Sequence, residues 1–295
     1  MLINKKISIS YFLNLIKWDV LAITFYASVI GTLDHFSLFK EFSIPLNISA
    51  LIGTLVSLLL AFRTAQSYER WWEARTVWGA IVNDSRTLIR QLIQFLPPDE
   101  KKQTILSEFA VRQSIWCFAL ADNLRKVSPS PFVAEYLDAN NLHDNHLTNQ
   151  LLTRHAERLG VLANKYNLNA IKQAQIDNTL ARLTDSMGKC ERIKNTVFPR
   201  AYSLLIHFLI YVLMTILPFG LDDNHAILEI LMVILVPVLL IAIEKTAIVM
   251  QDPFENRPTD TPMTTLSINI ERNLLEMVSM PVPQRDSKSG TYYLL

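Results

Sequence analysis

Residues 48–94 read ISALIGTLVSLLLAFRTAQSYERWWEARTVWGAIVNDSRTLIRQLIQ, and little in that stretch interrupts a helix: it holds no proline, and its only glycines are Gly53 and Gly79. At 1.5 Å per residue a continuous helix of this length runs about 70 Å, against about 30 Å for the hydrocarbon core of a bilayer. Its two halves differ in kind. From Ile44 to Phe62 no charged residue occurs, and Pro45 stands where a first helical turn loses nothing by lacking an N–H. From Arg63 to Gly79 arginines, carboxylates and tryptophans crowd together. The spacing predicts one helix that crosses a membrane and continues into the aqueous phase. Along one stripe, at intervals of three and four, lie Thr54, Leu58, Phe62, then Ala65 or Gln66, then Glu69, Glu73 and Thr76. An apolar constriction followed by carboxylates is how a cation pathway can be built when several subunits surround an axis. Periodicity alone leaves open which stripe faces an axis, and an interfacial belt of aromatics and arginines is the plainer reading of the same residues.

The flanking sequence repeats the apolar theme. VLAITFYASVIGTL, between Asp19 and Asp34, is short for a crossing and spans only if Tyr11 to Trp18 extend it, with Lys17 snorkelling and Trp18 at the interface. Ala201 to Leu221 is free of formal charge, entered through Pro199 and left through Pro218-Phe219-Gly220. Ala226 to Ile243 carries Glu229 near one end and Pro237 inside, both tolerable at a segment end and at a bundle-facing kink. Basic residues are enriched on the cytoplasmic flanks of membrane helices. Here they sit before the first run (Lys5, Lys6, Lys17), after the second (Arg63, Arg70, Arg75), before the third (Arg192, Lys194, Arg200) and after the fourth (Lys245, Arg257). The expectation is four crossings with both termini cytoplasmic: transmembrane helices 1 and 2 in residues 1–62, a cytoplasmic helical domain in 63–199, transmembrane helices 3 and 4 in 200–250, and a cytoplasmic C-terminal arm in 251–295. Composition agrees with a lipid-embedded chain. Half of the 295 residues are hydrophobic and 28 basic side chains face 27 acidic ones, which excludes a disordered chain and a polycationic nucleic-acid binder. Cys117 and Cys190 lack metal-type spacing and read as free thiols in a reducing compartment.

The block between the second and third runs reads as helical, with apolar residues recurring at three and four: Val77, Ile81, Leu88, Leu92 and Phe95, then Ile105, Phe109 and Trp116. Pro97-Pro98-Asp99 ends one helix and starts another, and Pro129-Ser130-Pro131 breaks the next. From there to Gln150 the text is polar and irregular. Helices resume over Leu151–Lys165 and Asn169–Asn195, and the proline-rich stretch from Asp252 onward reads as an extended arm with one helical piece, Ser267–Met277.

The stretch FRTAQSYERWWEARTVWG, with the later CERIKNTVFPRAY, DPFE and INIERNLLEMV in that order, resembles the bestrophin family, specifically its bacterial branch. The resemblance covers the chain from the first apolar run to about Val278. It implies an all-α integral membrane protein with four transmembrane helices per subunit, assembled as a homopentamer in the inner (plasma) membrane. Its long second helices would extend into a cytoplasmic helical domain and form an ion channel with a narrow hydrophobic neck. Carried onto this chain, the neck falls on Thr54, Leu58 and Phe62, the stripe that periodicity also gives. Thr54 stands where a larger apolar residue is usual. A second constriction, at the cytoplasmic exit, is implied on the helix before Cys190, at Ile171 or Ile176. The motif residue Val197 replaces a proline, leaving Pro199 to start the next helix.

Animal members of that family carry a consecutive acidic run that clasps calcium, and they conduct anions; characterised bacterial members conduct monovalent cations. Here QDPFENRPTDTPM offers only Asp252, Glu255 and Asp260, too sparse for six to eight oxygen ligands, so calcium gating of the animal type is not expected. Glu69 and Glu73 would present rings of carboxylates to the pore, which favours permeant monovalent cations; each can equally serve as intrahelical support. Chloride selectivity is the alternative, and a transporter or membrane enzyme the more distant one. No cofactor motif, nucleophile elbow or phosphate loop occurs. His143, His146 and His155 with Asp144 match no metal set and read as solvated loop histidines. Trp71, Trp72 and Trp78 read as packing between helices.

Overall fold

The computed structural model describes residues 9–35, 44–143, 146–196, 198–221 and 226–285. Among them the regular elements are all helices: α1 Ile9–His35, α2 Leu46–Phe95, α3 Lys102–Arg125, α4 Pro131–Ala139, α5 Leu147–Tyr166, α6 Ala170–Asn195, α7 Arg200–Ile216, α8 Ala226–Gln251 and α9 Met263–Met277, with a 3-10 turn at Pro218–Gly220. The chain divides into two compact units. One takes the sequence through Arg70 and again to Gln251; the other covers Trp71–Thr196 and the chain after Gln251. The 50-residue α2 passes the division unbroken, as its lack of proline predicts.

In the first unit Ile9–Thr32, the apolar part of α2, and Ile230–Gln251 are each long and apolar enough to cross a membrane. α7, at 17 residues, falls short of that length by itself and is prolonged by the 3-10 turn. The buried seam is narrow: Ile23, Val56, Leu60, Ile206, Ile210, Leu213, Met214, Leu240 and Ile241. Outside it Phe25, Leu51, Leu204 and Phe208 stand exposed, an apolar surface that calls for lipid or other subunits as its solvent. Small residues and hydroxyls tighten the seam. Gly53 faces Leu213, Tyr26 and Thr215 share a hydrogen bond of 2.7 Å, and Tyr202 donates to the carbonyl of Leu59 at 3.0 Å. Gly220 suits a tight approach: a Cβ there would meet the Ile44 carbonyl at 3.1 Å, in a turn where Ile44 N–H already donates to Phe219 O.

The second unit is organised around α3, whose middle from Arg112 to Asp122 is buried without interruption. The far half of α2, α4, α5, α6 and α9 pack about it, giving one core that includes Trp78, Leu88, Leu92, Phe109, Trp116, Leu151, Leu183 and Leu274. Some polar groups inside are paired: Trp116 Nε1 donates to Thr148 O at 3.1 Å and Gln113 Nε2 to Ser85 Oγ at 2.9 Å. The helix ends follow the sequence signals. Pro97-Pro98 stops α2, and Lys102 Nζ donates to two of its last carbonyls, Ile93 O and Leu96 O, at 2.8 Å each. Asn169 caps α6 by accepting from Ile171 N–H at 2.8 Å. α4 corrects the sequence expectation of irregular chain after Pro131: that proline occupies the first helical turn, and Ser130 is held by Asp122 Oδ2 through both N–H and hydroxyl. α5 and α9 begin about a turn earlier than expected.

Candidate functional site

α2 has two faces. Val56, Leu60, Arg63, Ser67, Ala74, Trp78 and Ile81 are buried against the subunit's own helices. Thr54, Leu58, Phe62, Ala65 and Glu69, spaced by three or four, and Thr76, seven after Glu69, are exposed, with Leu58 at 54% and Phe62 at 60%. Thr54 spends its hydroxyl on the Ala50 carbonyl at 2.8 Å, so its outward contribution is largely the methyl group. The stripe read from periodicity is therefore unburied, within a wider exposed surface of α2 that also includes Leu51 and Leu55.

The two carboxylates of that stripe part company. Glu69 is exposed and makes no hydrogen bond or ion pair among the described residues. Glu73, a turn on, is less exposed and is held by the Arg192 guanidinium of α6. The exit candidates also separate. Ile171 is 69% exposed on the first turn of α6, whereas Ile176 is fully buried in the core of the second unit, which takes it out of an aqueous constriction.

Sequence reading missed one constellation. Arg63, the residue after Phe62, is 2% exposed and places NH1 2.6 Å from Oε1 of the fully buried Glu244 in α8. His207 of α7 brings Nε2 to 3.2 Å from the other carboxylate oxygen, and the ring of Phe198 lies 5.1 Å from the guanidinium. The available signal was a carboxylate ending the fourth apolar run: a charge there needs a partner, and Arg63 and His207 are the basic residues at matching depth. Beside it Lys245 pairs with Asp19 of α1 at 3.2 Å.

After α8 the DPFE residues are engaged by a cation from the chain itself. Lys194 Nζ lies 2.8 Å from Asp252 and 2.5 Å from Glu255, and is nearly buried. Asp260 is buried too, and desolvation pushes its carboxyl up to about 6 against the Arg257 N–H it accepts at 2.9 Å. Trp71 Nε1 donates to Thr259 O at 2.8 Å and Trp78 is fully buried, the packing roles expected; Trp72 is exposed. The histidine reading needs one correction. His143 and His146 are exposed, but His155 is fully buried in α5, stacked on Phe109 at 4.9 Å, with neither ring nitrogen hydrogen-bonded; burial, with Arg112 nearby, drives its pKa well down. Asp144, Val197 and the side chain of Glu229 fall outside the described residues. Burial pushes the thiols of Cys117 and Cys190 up to about 12, so both stay protonated. No group of three metal-type side chains occurs among the described residues.

A sequence model of bacterial and fungal bestrophin proteins matches residues 7–276. The voltage-dependent anion channel-forming protein RSc3414 of Ralstonia nicotianae is 29% identical over 236 residues, 79% of this chain and 77% of its own. The voltage-dependent anion channel-forming protein YneE of Escherichia coli K12 is 28% identical over 232 residues, 77% of this chain and 75% of its own. The crystal structure of a bacterial bestrophin homolog from Klebsiella pneumoniae superposes with a TM-score of 0.82 at 26% identity, covering 90% of this chain and 99% of that one.

Proposed function

The chain belongs to the bacterial and fungal bestrophin family, ion channels rather than enzymes, and from that premise we propose that it forms a membrane pore for monovalent ions with the exposed face of α2 as its wall. The observation that carries the reading is that face itself. Leu58 and Phe62 are large apolar side chains left unburied on the side of α2 away from the buried Val56, Leu60 and Arg63, an arrangement that suits a shared axis between subunits. In this arrangement five copies of α2 surround the pore, Thr54, Leu58 and Phe62 form the neck, and Ile171 narrows the cytoplasmic exit. α1, the first half of α2, α7 with its 3-10 extension and α8 make four crossings, with both termini in the cytoplasm of the inner membrane. Residues 63–199 and the arm from 251 then lie on the cytoplasmic side.

For selectivity, Glu69 supports cations: it is the carboxylate on that face left without a partner among the described residues, so a ring of it raises cation concentration beside the neck. Glu73 adds less, because Arg192 neutralises it. The printed names of the relatives, anion channel-forming proteins, favour the second reading, a chloride pathway. Reversal potentials of purified protein in planar bilayers under a KCl gradient separate them. Reversal near the potassium potential is expected; reversal at the chloride potential overturns the cation assignment. Phe62→Ala and Leu58→Ala should raise open probability, and unchanged currents would place the gate elsewhere.

A further inference from the structure

Three helices of the first unit meet around one carboxylate, and the hydrogen count there does not close. Glu244 Oε1 is taken by Arg63, while Oε2 has His207 Nε2 at 3.2 Å and no hydrogen bond directed at it. The other ring nitrogen, Nδ1, lies 3.0 Å from the carbonyl of Ser203, one turn back in α7. A carbonyl only accepts, so Nδ1 carries a hydrogen. In a neutral imidazole that leaves Nε2 an acceptor, set against a carboxylate oxygen that is also an acceptor. In a buried, weakly screening environment two such groups repel. One further proton, on Nε2 or on Oε2, turns the contact into an attraction.

Among the described residues nothing nearby supplies that proton. Arg63 does not titrate in proteins, and its NH1 is already on Oε1. Lys245, next along α8, is turned to Asp19 of α1, and the Tyr202 hydroxyl is given to Leu59 O. We propose that His207 and Glu244 form a proton-binding site, holding a single proton between imidazole and carboxyl, that ties α7 and α8 to α2 at the residue following Phe62. On release the proton leaves to the bulk by way of the ring, whose side chain is 37% exposed in the single subunit, and the site returns to neutral imidazole and carboxylate. Resting on the channel reading above, the consequence is that ion flow through the neck responds to pH.

The test combines a direct view of the proton with its effect on flux. Nitrogen-15 histidine spectra and the infrared band of protonated carboxyl groups are followed from about pH 5 to 8 in wild type in nanodiscs, and ion efflux from liposomes over the same range. One of the six histidines, identified by its absence in His207→Gln, is expected to titrate as imidazolium, or a carboxyl band lost in Glu244→Gln to titrate in its place. Wild-type efflux should change severalfold across the range. Both variants should stay at the wild-type acid level, since a glutamine amide at either position donates the missing hydrogen without a proton being taken up. Variants that keep the wild-type pH profile, or a wild type with neither signal titrating, overturn the proposal. Should a variant fail to fold, the wild-type spectra still decide. No efflux at any pH with the spectra titrating overturns the channel reading and supports the proton site; efflux without titration does the reverse.

Discussion

The two units solve opposite problems with the same helical material. In the second unit the large apolar side chains are inside: Trp78, Phe109, Trp116 and Leu120 are fully buried, and arginines such as Arg154 and Arg158 sit on the surface in pairs with carboxylates. In the first unit Phe25, Leu204 and Phe208 point outward, while the most deeply buried ion pair of the chain's described residues, Arg63–Glu244, lies within. The difference teaches that burial alone does not rank importance here. An exposed Phe in the first unit faces lipid or a neighbouring subunit, and a buried charge there is a tie between helices.

Substitutions of equal chemistry should break this comparison most visibly. Trp116→Ala removes a fully buried indole and its bond to Thr148 O, so a loss of about 3–5 kcal/mol is expected, read as a large drop in melting temperature in detergent. Phe208→Ala removes as large a ring, but one 64% exposed in α7, and should shift the melting temperature little. Equal losses would mean that the outward face of the first unit is packed as a core.

Acid should act on the second unit through His155. Its folded-state pKa is depressed by burial, so the unfolded chain binds the proton more readily. Stability from this group is complete above about pH 6.5 and falls as pH drops below that value. His155→Phe keeps the stack on Phe109 without a titrating group and should flatten the acid limb. Asp260 has the opposite sign. Its pKa of about 6 lies above the ordinary 3.8, so its contribution is full below 3.8 and lost as pH rises through 6. Asp260→Asn, which can still accept the Arg257 N–H, should therefore stabilise more at pH 8 than at pH 5 in thermal melts, by about 1–2 kcal/mol. A pH-independent difference would put the burial of Asp260 in question.

Much of this was legible one residue at a time. The span of α2 follows from an unbroken run without proline, and its exposed stripe from spacings of three and four. What escaped depends on partners far apart in sequence. Arg63 and Glu244 are 181 residues apart, so an interfacial arginine and a terminal glutamate each looked ordinary. His155 lay near two loop histidines and was read with them, although Leu151, Leu152, Leu159 and Leu162 on the same helix mark its buried side. α4 was missed because only Val133 and Leu137, one turn apart, are buried in it, too short a pattern to outweigh two prolines. Ile171 and Ile176 lie on one helix, and which of them is buried depends on what packs against α6, which periodicity does not tell.

The finest comparison lies within α2 and carries the smallest expected change. Glu69 and Glu73 are separated by one turn and were equivalent by spacing, yet Arg192 holds one and no partner in the described chain holds the other. A paired carboxylate presents little net charge to a passing ion, and its pair, well exposed on both sides, contributes only about 0–1 kcal/mol to stability. Glu69→Gln should therefore shift the reversal potential away from the cation limit and lower conductance more at low salt than at high, since screening already mutes the ring at high salt. Glu73→Gln should move the reversal potential little. Arg192→Gln tests the pairing from the other side: with the guanidinium gone, Glu73 is free to act as Glu69 does, and cation preference should rise above wild type. If instead the two glutamate variants shift reversal equally, the Arg192 pair does not persist in the assembled channel and both carboxylates face the ion path.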